Sequence, residues 1–162
     1  MVIRDWSSDV CSSDLGNATD GATITVAAGS AGNHNIGSGA NGGAIALGGD
    51  LAIDHNGSGT LTTRGITGAY GVTKDGAGTW TQRGGRSNDF TGGLVVNAGT
   101  NNLDGINTFG GGLTVNGGVV NISATSVAAW TGGLTVTGGL TTFSVPGTYA
   151  GDTSITDRKS VV

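Results

Sequence analysis

The sequence predicts an all-β fold, a right-handed parallel β-helix (solenoid) fragment of about six or seven coils. Two observations carry this expectation: like blocks of sequence recur at a spacing near twenty residues, and each block holds a short apolar/polar alternation closed by glycine. A third removes the main competitor. The chain of 162 residues contains 34 glycines, two lysines and no glutamate, so the residues that build helices are missing.

The repeat is clearest in three blocks, Gly92-Gly93-Leu94-Val95-Val96-Asn97-Ala98-Gly99, Gly111-Gly112-Leu113-Thr114-Val115-Asn116-Gly117-Gly118 and Gly132-Gly133-Leu134-Thr135-Val136-Thr137-Gly138-Gly139. Their leucines lie 19 and 21 residues apart. The closing glycines extend the series backwards as Gly59, Gly78, Gly99, Gly118 and Gly139, in steps of 19, 21, 19 and 21. Strings such as Leu113-Thr114-Val115 have the period of a strand, with Leu and Val on one face. A second apolar column, Leu103, Ile122 and Phe143, follows four residues after a closing glycine. Each repeat therefore supplies two or three short strands separated by Gly or Asn turns, where positive φ is cheap. A strand of this length cannot bury its own face, and stacking coil on coil about 4.8 Å apart provides the cover. The stretch from Gly29 to Gly43 is the least regular and reads as a loop or a degenerate coil.

Glycine reaches a fifth of the chain without a Gly-X-Y period and with one proline, which excludes collagen. A net charge of -4 without a basic run argues against nucleic acid as a partner. No apolar run is long enough for a transmembrane helix, and no secretory leader is legible at the N-terminus.

Both ends read as translated sequencing-adapter scars. The codons TGC-TCT-TCC-GAT-C would encode Cys11, Ser12, Ser13, Asp14 and the start of Leu15, and their opposite strand includes GAT-CGG-AAG-AGC, which encodes Asp-Arg-Lys-Ser. That tetrapeptide occurs as Asp157-Arg158-Lys159-Ser160. The expected organisation is thus residues 1–15 and 157–162 as adapter-like artefact, and 16–156 as a β-helix repeat fragment without native ends. Cys11, the single cysteine, falls in a scar and carries no disulfide information.

The stretch Gly76-Ala77-Gly78-Thr79-Trp80-Thr81, followed by Phe90-Thr91-Gly92-Gly93-Leu94-Val95-Val96-Asn97-Ala98-Gly99-Thr100, resembles the autotransporter-associated β-strand repeat, also called the passenger-associated transport repeat. One copy of about 25 residues matches. Gln82 and Asn101 stand where that family has leucine, the run from Arg83 to Asp89 is longer, and the blocks at Leu113 and Leu134 look like half-copies. The resemblance implies a passenger fragment of a type V secreted protein, at the cell surface of a Gram-negative bacterium and anchored by a C-terminal outer-membrane barrel outside this sequence. The partners it implies are neighbouring coils of the same passenger and that barrel, with host or environmental glycans as further candidates.

Chemistry-bearing residues are sparse. Between residues 16 and 156 there are seven Asp, four basic residues and two His. Asp50 and Asp54 project to one side of an extended Leu51-Ala52-Ile53, as a sugar hydrolase would require, but both sit beside turn residues and read better as turn caps. His34 and His55 have no further ligands nearby in sequence and read as exposed loop histidines rather than a metal site. Arg83-Gly84-Gly85-Arg86 reads as a turn with two solvated charges. Trp80, Phe90, Trp130, Phe143 and Tyr149 would form a carbohydrate-stacking surface if outward, although strand positions favour the interior. The sequons at Asn17, Asn56 and Asn121 are of the number that composition alone provides. Three functions follow. A non-catalytic stalk of a surface protein or adhesin, with no catalytic, cofactor or metal residues, is the first expectation, and a carbohydrate-active or carbohydrate-binding β-helix is the second. The third is an ice-binding solenoid, suggested by Thr60-Leu61-Thr62 and Thr79-Trp80-Thr81 and interrupted at Thr100-Asn101-Asn102 and Val119-Val120-Asn121.

Overall fold

A computed structural model describes residues 2–3, 21–37, 43–83, 87–123, 127–144 and 148–156. Apart from residues 2–3, the two segments read as adapter scars lie outside these residues.

Short strands alternate with glycine turns along the whole described chain. After β1 (Val2–Ile3), the first coil comprises β2 (Ala22–Val26), β3 (His34–Ile36) and β4 (Ile45–Leu47). The next holds β5 (Leu51–His55), β6 (Thr60–Arg64) and β7 (Ile66–Gly68), followed by β8 (Val72–Asp75), β9 (Thr79–Arg83) and β10 (Asp89–Phe90). Then come β11 (Leu94–Val96), β12 (Thr100–Leu103) and β13 (Ile106–Asn107), and after them β14 (Leu113–Val115), β15 (Val119–Ile122) and β16 (Val127–Trp130). The last complete unit is β17 (Leu134–Val136), β18 (Leu140–Phe143) and β19 (Thr148–Tyr149), with β20 (Thr153–Ile155) opening another.

Each strand pairs in parallel with its counterpart one coil away. An eight-stranded sheet runs β1-β2-β5-β8-β11-β14-β17-β20, a six-stranded sheet runs β18-β15-β12-β9-β6-β3, and two three-stranded sheets, β10-β7-β4 and β13-β16-β19, complete the wall. The fold is a parallel β-solenoid, with about five turns from its first three-strand unit to its last. Among the described residues six three-strand units, from β2–β4 to β17–β19, stack in these turns and β20 opens a seventh, in line with the expected six or seven coils. Register partners Ala22, Leu51, Val72, Leu94, Leu113, Leu134 and Thr153 follow at steps of 29, 21, 22, 19, 21 and 19 residues. The long first step holds the irregular stretch after Gly29, in which β3 nevertheless forms and pairs with β6.

Register explains the core. Leu94, Leu113 and Leu134 lie directly over one another, as do Val96, Val115 and Val136, and all six are buried. Thr114 and Thr135, between them in sequence, face outward, because successive side chains of a strand leave opposite faces. On the six-stranded sheet, Leu103, Ile122 and Phe143 make the second expected column. A third stack was not legible from strand periodicity. It runs from Phe90 to Phe109 at 4.7 Å, on to Trp130 at 5.8 Å, and to Phe143 at 6.3 Å.

Glycine sets how closely coils approach. A Cβ on Gly111 would lie 2.6 Å from the Gly92 carbonyl carbon and oxygen of the coil beneath, and one on Gly132 would overlap Gly111 in turn. At the opposite corner Gly139 holds φ at +81°, a conformation side chains resist. With these corners bare, Leu94 N–H donates to the Gly112 carbonyl at 2.9 Å and Leu113 N–H to the Gly133 carbonyl at 3.0 Å.

Three substitutions in these positions separate the effects, read by urea unfolding. Leu113→Ala is expected to cost about 2–5 kcal/mol through the cavity it leaves. Gly111→Ala is expected to cost about 1–3 kcal/mol through overpacking. Outward-facing Thr114→Ala should stay within about 0.5 kcal/mol of the parent.

Candidate functional site

The strand period that buries leucine also buries polar side chains wherever they take the inward position. Ile53, Lys74 and Val96 are register partners in one inner column, so Lys74 starts inside the solenoid. It is fully buried, and its Nζ reaches the nearby corner, where it donates to the carbonyl oxygens of Asp75 at 2.6 Å, Gly76 at 2.7 Å and Ala98 at 3.4 Å. Burial pushes the Lys74 ammonium down to about 8, while Asp75 and Asp54 pull it the other way.

His55 occupies the same corner. It continues the inward series Leu51, Ile53, His55 on β5 and is fully buried, so the expected exposed loop histidine is corrected. The sequence Asp54-His55-Asn56-Gly57 looks like a turn, yet the alternation extends one residue further than its polarity suggests. Neither ring nitrogen of His55 has a hydrogen-bond partner among the described residues. Burial lowers its proton affinity first, and the Lys74 charge lowers it further. His34, by contrast, is half-buried, and its Nε2 lies 2.8 Å from the Ser30 hydroxyl.

Two more buried amides lie on the six-stranded sheet. Gln82 stacks between Thr63 and Leu103, and Asn101 between Trp80 and Val120. Neither amide has a partner among the described residues. Buried Asn88 is served differently. Its Oδ1 accepts from Ile66 N–H at 2.9 Å, and its Nδ2 donates to Asn107 Oδ1 at 2.9 Å.

Outside, side-chain amides connect coil to coil. Thr137 Oγ1 donates to Asn116 Oδ1, Asn116 Nδ2 to Asn97 Oδ1, and Asn97 Nδ2 to Asp75 Oδ1, each at 2.9 Å. A second ladder runs from Asn121 Nδ2 to Asn102 Oδ1 at 2.9 Å, and from Asn102 Nδ2 to Thr81 Oγ1 at 3.2 Å. Every donor in both ladders points toward the preceding coil, so the bond dipoles add and reinforce one another.

The remaining candidates fall into place around this frame. Asp50 and Asp54 both face outward and serve turns. Asp50 Oδ1 accepts from Gly71 N–H of the next coil at 2.9 Å, and Asp54 Oδ1 accepts from Asn56 Nδ2 at 2.6 Å. Trp80, Phe90 and Trp130 are interior and Phe143 packs against the core, so these rings are not on an outer stacking surface. Trp80 Nε1 donates to Thr63 Oγ1 at 3.0 Å. The Tyr149 side chain, Gly84–Arg86 and Asn17 lie outside the described residues. Arg83 is exposed at the end of β9. Thr60, Thr62, Thr79 and Thr81 point outward in register, and Thr100 and Asn102 continue their two columns. No group of three or more His, Cys, Asp or Glu that could hold a metal occurs among the described residues.

No family model, curated protein or solved structure matches this chain.

Two outcomes test the buried polar groups. Gln82→Leu removes an amide without a partner and is expected to stabilise the fold by about 1–3 kcal/mol in urea unfolding. For Lys74, the unfolded chain holds its proton more tightly than the folded chain between pH 8 and 10.5, so stability should rise with pH across that window. Lys74→Met should remove that rise.

Proposed function

We propose that this chain is a non-catalytic stalk segment of a surface protein, exported by the type V (autotransporter) route of a Gram-negative bacterium. The observation that carries the reading is how the family-like stretch maps onto the fold. The segment from Gly76 to Thr100 makes one circuit of the solenoid, through β9, β10 and β11, and returns Thr100 to the register position of Thr79. One copy of the resembling motif is thus one coil. The half-copies at Leu113 and Leu134 continue the same column.

Such a body suits a stalk. Its coils are joined by backbone ladders and by outer amide ladders, and each added coil lengthens the rod without a new core. Vectorial export also suits it, since each emerging coil needs only the preceding one as a template for pairing and burial. On this reading the partners are further coils of the same passenger and an outer-membrane barrel, and ligand contacts belong to loops or to other parts of the protein.

The outward Thr columns favour a second reading, an ice-binding solenoid. Thr60/Thr62 and Thr79/Thr81 lie in register on adjacent strands, and on the eight-stranded sheet Thr135 and Ser154 extend another outward column from Thr114.

The test is surface display. With residues 16–156 placed between a secretory leader and an autotransporter barrel, the expected result is folded, protease-resistant chain on the outside of intact cells. Retention in the periplasm as a degraded chain contradicts the export reading. Thermal hysteresis in solutions of the purified chain would favour the second reading instead.

A further inference from the structure

The His55 and Lys74 corner joins two coils through a single tight turn. β5 ends on His55, and the turn Gly76-Ala77-Gly78 of the next coil lies across the imidazole. A Cβ on Gly78 would overlap His55 Nδ1, so the ring rests directly against the bare glycine. Gly78 N–H donates to the His55 carbonyl at 2.7 Å, which fixes the turn to the strand below. The carbonyls of Asp75 and Gly76 at the start of that turn are the ones that hold the Lys74 ammonium.

We propose that this corner is an acid-sensitive seam: the coil at β8–β10 stays locked on the coil at β5–β7 while the His55 imidazole is neutral, and uptake of a proton by His55 opens it.

The charges around the ring set the direction. From β8 comes the buried Lys74 ammonium, itself paired with Asp75, from β3 comes His34, and from β5 itself comes Asp54. β2 contributes apolar Val26 as the register partner. Among the described residues, the cation held inside the corner is Lys74, and the carboxylates of Asp54 and Asp75 are on the outer face, where Asp54 accepts from Asn56 and Asp75 from Asn97. A second cation at His55 would sit beside Lys74 with neither ring nitrogen hydrogen-bonded to another described residue; its own backbone and Asp54 favour the charge, but burial and Lys74 together outweigh them. Such a charge recovers hydration only if the Gly76–Gly78 turn lifts away.

The sign follows from linkage. His55 binds its proton less tightly in the fold than in the unfolded chain, so the locked corner has full stability above about pH 6.5 and loses it as pH falls below that value. The window overlaps mild acidification of a compartment or an environment.

Amide hydrogen exchange on the full chain, corrected for the intrinsic pH dependence of exchange, tests the seam at about pH 7.5 and about pH 5. Protection of β5 and β8 is expected to fall roughly tenfold or more on acidification, relative to β14 and β17. His55→Phe should hold that ratio constant with pH, whereas His34→Gln should leave the wild-type response in place. An unchanged ratio in the wild type, or an equal fall in His55→Phe, overturns the proposal. Should His55→Phe fail to fold, NMR titration of the wild-type imidazole decides: a midpoint below 6.5 is expected, and one at or above 6.5 overturns the seam.

Discussion

Stacking of each coil on the one before it, at the spacing of a parallel β-ladder, is the constraint on which the rest of this structure depends. The repeat distance between hydrogen-bonded strands is about 4.8 Å, so any residue and its counterpart one coil away are forced into contact. Leucine therefore meets leucine, asparagine meets asparagine, and the corners must be glycine where backbone rests on backbone. The hydrophobic columns, the outer amide ladders and the aromatic stack from Phe90 to Phe143 are three consequences of that one geometry. None of the strands is long enough to stand without it.

The same constraint makes polar substitutions inside the solenoid conspicuous. In a globular core a misplaced amide can turn toward a neighbouring loop. In a solenoid column, its neighbours above and below are fixed by register, so Gln82 is held between Thr63 and Leu103 whatever its preference. Lys74 escapes because its stem is long enough to carry the ammonium to the carbonyls of a turn. His55 has no such reach. The coils from β5 to β12 thus combine a regular backbone with a partly polar interior, whereas the inward residues of β14 and β17, Leu113, Val115, Leu134 and Val136, are aliphatic.

Much of this was legible in the chain, and the omissions have physical causes. The column through Leu94, Leu113 and Leu134 and the glycine series from Gly59 to Gly139 were visible because repetition and strand period coincide there. β3 was hidden because His34-Asn35-Ile36 has one aliphatic residue amid Gly, Ser and Asn, and its pairing to β6 is what makes it a strand. Phe109 was hidden because it lies outside any strand and is placed by ring stacking. The burial of His55 and Lys74 could have been found from period two alone, by continuing Leu51-Ile53 to His55 and Val72 to Lys74. Residue polarity outweighed position in that reading, and inside a solenoid position prevails.

The most direct measurement of the central claim is a thiol cross-link between outward residues of adjacent coils, in a Cys11→Ser background so that only introduced thiols report. Thr114 and Thr135 are register partners, and their spacing suits a disulfide. Thr114 and Thr137 are offset by two residues, a diagonal of roughly 8 Å that a disulfide cannot span without backbone movement. The stacked solenoid requires rapid closure of the Thr114→Cys/Thr135→Cys pair and little closure of Thr114→Cys/Thr137→Cys. Equal closure of both pairs, or closure of the diagonal pair alone, would contradict it.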